Sequence, residues 1–266
     1  MSDIPFPGDA YETPEGGEAL FSSLLPSFFF TWGVMNIIRH DGKLAVAGKY
    51  DGKEWSEGSR RTLRLLERCG VHFHVEGMDT IDRVDGPCVF IGNHMSTLET
   101  FVLPCLIQPR KPVTFVVKDS LLRYPWFGSV LHAREPVVVH RKNPREDLAA
   151  VLEGGVERLN RGVSVIVFPQ STRSYSLDTT LFNSIGIKLA KRAGLPVIPV
   201  ALRTDAWKMG RFIKDFGGIN VNAPVRFAFG EAMAVTGNGK AEHAAVCDFI
   251  SGKLAEWSEP FPPGQG

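Results

Sequence analysis

The chain has little cysteine and none of it is paired. Cys69, Cys88, Cys105 and Cys247 are scattered, with no Cys-x-x-Cys, so the sequence offers neither a zinc site nor a disulfide framework. No sign of charge dominates. Against 30 Lys and Arg stand 29 Asp and Glu, a formal net charge of +1, and the polyelectrolyte character of a nucleic-acid binder is missing, so no nucleic-acid partner is expected. Gly-x-Ser-x-Gly, a complete Walker loop and Gly-x-Gly-x-x-Gly are also absent, which removes support for a serine hydrolase, a P-loop nucleotidase and a dinucleotide enzyme. There is no internal repeat and no low-complexity tract. The N-terminus has no basic opening of a secretory signal, so cytoplasmic exposure of the folded part is expected.

What is present is enough for one substantial core: 266 residues, 44% of them hydrophobic. Three regions are expected. Residues 1–18 are rich in Pro, Gly and acids and contain no base, and they read as a disordered or loosely attached arm. Residues 19–53 begin with 20 uncharged positions, ALFSSLLPSFFFTWGVMNII, and continue into a basic connector carrying Arg39, Lys43 and Lys49. Three serines, Pro26 and Asn36 interrupt the apolar stretch. A membrane-embedded hairpin or interfacial helix, a spanning helix, and a helix packed on the protein all remain open for it; if it inserts, the basic flank lies on the cytoplasmic side. Residues 54–266 form the main domain.

In that domain helical and strand patterns alternate. EWSEGSRRTLRLLERCG predicts an amphipathic helix stopped by Gly70, followed by the strand VHFHV. CVFIG, VTFVV, PVVVH, SVIVF, LPVIPVAL and VRFAF predict further strands, VRFAF being the last. TLETFVLPCLI predicts a helix interrupted by Pro104, and SIGIKLAKRAG a helix ended by Gly194. Asn143, Pro144 and Glu146 have the order of an N-cap, a first-turn proline and a third-position acid, so a helix is expected through Leu159. Apolar strands separated by helices predict an α/β fold with a mixed, largely parallel sheet covered by helices on both faces, preceded by the N-terminal membrane-associating helical segment.

Within "IGNHMSTLET", His94 and Glu99 lie five positions apart. On one helix that spacing leaves the side chains roughly 140° apart, so a pair can form only across a strand-to-helix turn. CVFIG supplies the strand, and Ser96 with Glu99 reads as a capping box that starts the helix. His94 then sits beyond the carboxyl end of a strand, where open α/β sheets bind ligands. Two readings stand side by side: Glu99 only caps and His94 is a surface turn residue, or Glu99 both caps and orients His94, since a carboxylate accepts several hydrogen bonds.

VFPQSTRS also follows a buried strand, and Ser171, Thr172, Ser174 and Arg173 supply the hydroxyls and guanidinium of a phosphate site or simply a polar turn. Arg141 follows a third strand. His72 and His74, two apart on a strand, lack a third ligand in view and are read as ordinary strand positions; no metal is expected.

"NHMSTLE" resembles the first block of the glycerolipid acyltransferases of the lysophosphatidic acid acyltransferase type, in which an Asn-His pair precedes an Asp. "VFPQSTRS" is similar to that family's Phe-Pro-Glu-Gly-Thr-Arg-Ser block. KDSLLRYPWFGSVLHAREPVVVHR resembles its second block, ending on Arg141, and LPVIPVAL its fourth. The resemblance covers about residues 70–205 in order. It implies transfer of an acyl group from acyl-CoA or acyl carrier protein, as co-substrate rather than cofactor, to a lysophospholipid. His94 would act as general base and Glu99 as its carboxylate partner; Arg141, Arg173, Thr172, Ser171, Gln170 and Lys118 would bind substrate. It also implies a peripheral or monotopic place on the cytoplasmic face of the inner membrane, among membrane lipids. Three positions depart from the pattern: Glu99 for Asp, Gln170 for Glu and Ser171 for Gly. Gln170 removes a charge from the acceptor region, which leaves another hydroxylated lipid, such as a lyso-ornithine lipid or a lipid A precursor, as the alternative acceptor. A silent membrane-binding protein that keeps the fold is the alternative from another class.

Overall fold

The computed structural model describes residues 4–14, 25–170, 172–210 and 215–258. Asp51, in extended backbone, accepts a hydrogen bond from Glu54 N at 2.9 Å and so caps a helix whose apolar positions Trp55, Leu63 and Leu66 all turn inward. This helix, α2 (Gly52–Arg68), packs against α1 (Pro26–Val46) and α4 (Leu98–Ile107). The approach of α1 and α2 is close at Gly58: a Cβ there would lie 2.0 Å from Asp41 Oδ2. Asp41 is itself buried in an ion pair with Arg61 at 2.8 Å.

The strands are β1 (Tyr11–Glu12), β2 (Phe73–Glu76), β3 (Val89–Gly92), β4 (Val113–Lys118), β5 (Val137–Val139), β6 (Ser164–Val167), β7 (Val197–Arg203) and β8 (Val225–Phe229). They form one sheet in the order β1-β2-β8-β7-β3-β6-β4-β5. From β7 to β5 all neighbours are parallel; β8 runs antiparallel to β7 and parallel to β2. The remaining helices are α3 (Asp79–Arg83), α5 (Phe127–Ala133), α6 (Pro144–Asn160), α7 (Ile185–Ala193) and α8 (Lys240–Glu256). Gly194 ends α7 in the left-handed region at φ 67°, where a side chain would be strained.

The sheet is covered on both faces, as the strand–helix alternation predicts. Because successive strand residues face opposite ways, Phe90 of β3 joins a core with Phe30, Leu66 and Leu103 of α1, α2 and α4, while Val89 and Ile91 join a second core with Val151, Leu189 and Ile250 of α6, α7 and α8. Each such fully buried side chain contributes roughly 1.5–3 kcal/mol.

Three expectations need correction, and one helix was not foreseen. Pro104 does not interrupt its helix: α4 runs through it. The proline disrupts the backbone ladder, but Ser59 of α2 fills the break, its hydroxyl donating to Phe101 O at 2.6 Å and accepting from Cys105 N at 2.9 Å. Second, residues 4–14 of the expected loose arm are packed. Tyr11 and Glu12 pair antiparallel with Val75 and His74, Phe6 is buried, and Arg110 donates to Phe6 O and Gly8 O. Residues 1–3 and 15–18 lie outside the described residues. VRFAF is the last strand among the described residues, as expected, but it is followed by α8, whose stripe of Val246, Cys247 and Ile250 is too short to stand out in sequence. Third, the spanning alternative for segment 19–38 has no helix to carry it among the described residues. From Pro26 its chain forms the first part of α1, which continues through charged Arg39, Asp41 and Lys43 to Val46; residues 19–24 lie outside the described residues. No helix among the described residues is long and apolar enough to cross a membrane.

Candidate active site

The parallel strands deliver their carboxyl ends to one edge of the sheet. Asn93 and His94 leave β3 there, Phe168 and Gln170 leave β6, Lys118 ends β4, His140 and Arg141 leave β5, and Thr204 leaves β7. Asn93 extends the β3–β7 pairing with its side chain, donating from Nδ2 to Leu202 O and accepting at Oδ1 from Leu202 N, each at 2.8 Å. This fixes where the chain leaves the sheet, and His94 is the next residue.

The backbone of His94 is held at both polar groups. Its N–H donates to Gln170 Oε1 at 2.6 Å, and its carbonyl accepts from Ser174 N at 2.9 Å. The ring lies on Phe168, with centroids 4.6 Å apart and planes 7° from parallel. Nδ1 is 2.8 Å from Glu99 Oε1. A carboxylate there accepts a hydrogen bond from Nδ1–H, which holds the proton on Nδ1 and leaves Nε2 as the basic nitrogen. The His94 side chain keeps 15% of its surface exposed, whereas Glu99 keeps none.

Glu99 does both things that its sequence position allows. Oε1 accepts from His94 Nδ1, Met95 N and Ser96 N; Oε2 accepts from Ser96 N, Ser96 Oγ and Thr204 Oγ1 at 3.0, 3.1 and 2.6 Å. Ser96 Oγ in turn accepts from Leu98 N at 3.1 Å, so Ser96 and Glu99 hold each other's ends of the turn that enters α4. Burial opposes the charge most strongly, but the hydrogen bond and charge of His94 and the hydrogen bond from Thr204 outweigh it, and the carboxyl is held below its ordinary range.

The residues expected to bind substrate divide. Gln170 is buried and its oxygen is engaged by the His94 backbone, a bond that a carboxylate could also accept. Arg173 donates from Nη1 to Thr97 Oγ1, at the foot of α4, and from Nη2 to Asp215 Oδ1 at 2.5 Å. Arg141 takes positive φ at 55°. Burial lowers its pKa, the charge of Asp147 counteracts that, and the charge of Arg173 lowers it further, so the two guanidiniums lie within electrostatic reach of each other. Lys118 and Thr172 are exposed on the same edge; Ser171 lies outside the described residues. His74 faces Glu12 at 3.4 Å, away from this edge. Sequence reasoning missed Asn93, Phe168, Thr204, Thr97 and Asp215. The partners of Asn93 and Thr204 are 109 and 105 positions away, and no local pattern marks them.

A histidine oriented by a buried carboxylate, at a strand edge that also carries two arginines, suits base-assisted attack of a hydroxyl. The profile of the Acyltransferase family matches residues 72–203, a span that contains His94, Glu99, Arg141 and Arg173. The chain belongs to the acyltransferase family. This acyltransferase is 29% identical over 221 residues to a 1-acyl-sn-glycerol-3-phosphate acyltransferase of Pseudomonas aeruginosa, covering 83% of the chain and 81% of that protein. It is 28% identical over 124 residues to the enzyme of the same name from Escherichia coli, covering 47% of the chain and 50% of that protein. The crystal structure of the 1-acyl-sn-glycerophosphate acyltransferase PlsC from Thermotoga maritima superposes with a TM-score of 0.69 at 20% identity, covering 92% of this chain and 100% of that one; at that identity it supports the fold alone.

Proposed function

We propose that this acyltransferase moves an acyl group from acyl-CoA or acyl carrier protein to the free hydroxyl of 1-acylglycerol-3-phosphate, giving phosphatidate, at the cytoplasmic face of the inner membrane. The observation that carries the reading is the His94–Glu99 contact at 2.8 Å, at the strand edge from which Arg141 and Arg173 also emerge. Nε2 of His94 takes the hydroxyl proton as the oxygen attacks the thioester carbonyl. The carbon–sulfur bond breaks, and the imidazolium returns the proton to the departing thiolate. Glu99 stabilises the imidazolium between the two steps. Arg141 and Arg173 bind the acceptor's phosphate through charge-assisted hydrogen bonds.

Membrane attachment is supported by the outer face of α1. Phe28, Trp32 and Met35 are exposed at helical spacing, and Arg39 and Lys43 continue the same face with positive charge. An apolar stripe ending in bases is the pattern of a helix lying in the headgroup region. Purified protein in mixed micelles, given lysophosphatidate and a panel of acyl-CoA and acyl carrier protein donors, should form phosphatidate detectable by mass spectrometry. Turnover of a phosphate-free hydroxyl lipid in preference to lysophosphatidate would overturn the acceptor assignment.

A further inference from the structure

Arg173 already holds an anion of the protein's own. Its Nη2 lies 2.5 Å from Asp215 Oδ1, and the two side chains keep only 16% and 21% of their surface exposed. Asp215 is gripped from its other oxygen: the Tyr124 hydroxyl donates to Oδ2 at 2.9 Å. The residues meet from three separate connections, 42 and 91 positions apart in sequence. The pair stands at the carboxyl edge of the parallel strands, where the acceptor's phosphate would bind.

A phosphate monoester brings about −1.5 to −2 charges and three acceptor oxygens. A carboxylate brings one charge and two oxygens. Both compete for the same N–H of Arg173, and both cannot hold it closely without repulsion. We propose that Asp215 is an internal competitor for the acceptor's phosphate: in the empty site it occupies Nη2 of Arg173, and it yields that group to the phosphate while Tyr124 keeps hold of its other oxygen. The inference rests on the reading above, in which Arg173 binds the acceptor's phosphate. Asp215 thereby determines specificity without touching the reacting atoms. A neutral headgroup cannot displace a carboxylate from a guanidinium; a dianion can.

The test is acceptor kinetics of the full chain at saturating acyl-CoA, with inhibition by glycerol 3-phosphate and by glycerol as a second readout. Asp215→Asn should lower the KM for lysophosphatidate roughly three- to tenfold and strengthen glycerol 3-phosphate inhibition by a similar factor, with kcat and glycerol inhibition little changed. Tyr124→Phe should act in the opposite direction, raising that KM, because the displaced carboxylate loses its other partner. Tyr124 is 37% exposed, so this variant carries the test even if Asp215→Asn is poorly folded. Arg173→Ala separates the two levels. If it raises the KM while Asp215→Asn leaves it unchanged or raises it too, Asp215 merely positions Arg173 and the competition is wrong. If Arg173→Ala leaves the KM unchanged, phosphate binding by Arg173 falls and the competition with it.

Discussion

Glu99 accepts from five donor atoms in a site with no solvent exposure, and its chemistry sets two expectations at the scale of the residue. His94→Ala should leave a folded protein, since His94 is partly exposed and its backbone bonds survive. Acyl transfer should drop about 10²- to 10⁴-fold, the usual cost of a lost general base; wild-type turnover in a folded variant would remove the mechanism. Glu99→Gln should lose activity to a similar degree, and it should also destabilise. Either orientation of the amide turns an NH2 toward Ser96 N–H, which lies 3.0 Å from both carboxylate oxygens. The expected cost is on the order of 2–4 kcal/mol at neutral pH. The carboxyl's pKa is lowered on folding, so its contribution is complete above the ordinary carboxylate range and is lost as pH falls through the folded-state value. The gap between wild type and Glu99→Gln in urea unfolding should therefore narrow in acid; a gap that widens would contradict the assignment.

At the scale of the element, α4 carries Glu99 and continues through Pro104. Ser59 fills the break, its hydroxyl bridging Phe101 O and Cys105 N. Ser59→Ala leaves the Cys105 N–H and the Phe101 carbonyl buried without the serine oxygen. A loss of about 1–3 kcal/mol is expected, read as a shift of the urea midpoint, with kcat falling if α4 bends at Pro104 and moves Glu99. An unchanged midpoint would mean that water or a shifted backbone replaces the hydroxyl.

The whole molecule decides how the membrane question should be tested. Removing residues 1–38 would take away Phe30, Val34 and Ile38, which are core residues of the sheet's α1 side, so truncation confounds attachment with folding. Phe28 and Trp32 are each 65% exposed and can be changed without opening the core. Phe28→Ser with Trp32→Ser should weaken binding to anionic phospholipid vesicles by about tenfold or more while leaving the thermal transition within a few degrees. Binding that persists, and that high salt weakens, would transfer attachment to Arg39 and Lys43.

The sequence by itself determined the α/β alternation, the covered sheet, and the strand-to-helix turn that lets His94 and Glu99 meet, because these follow from periodicity, caps and a five-residue spacing. The α6 cap at Asn143 and the α7 stop at Gly194 were legible for the same local reason. Only the tertiary structure decided that Glu99 caps and orients at once, since its sixth contact comes from Thr204, just beyond the end of β7. It also decided that Pro104 is bridged by Ser59 from a neighbouring helix, that residues 4–14 close the β2 edge, and that Gln170 supports the His94 backbone. In each case a side chain meets a partner tens of positions away, and no pattern along the chain encodes such a distance.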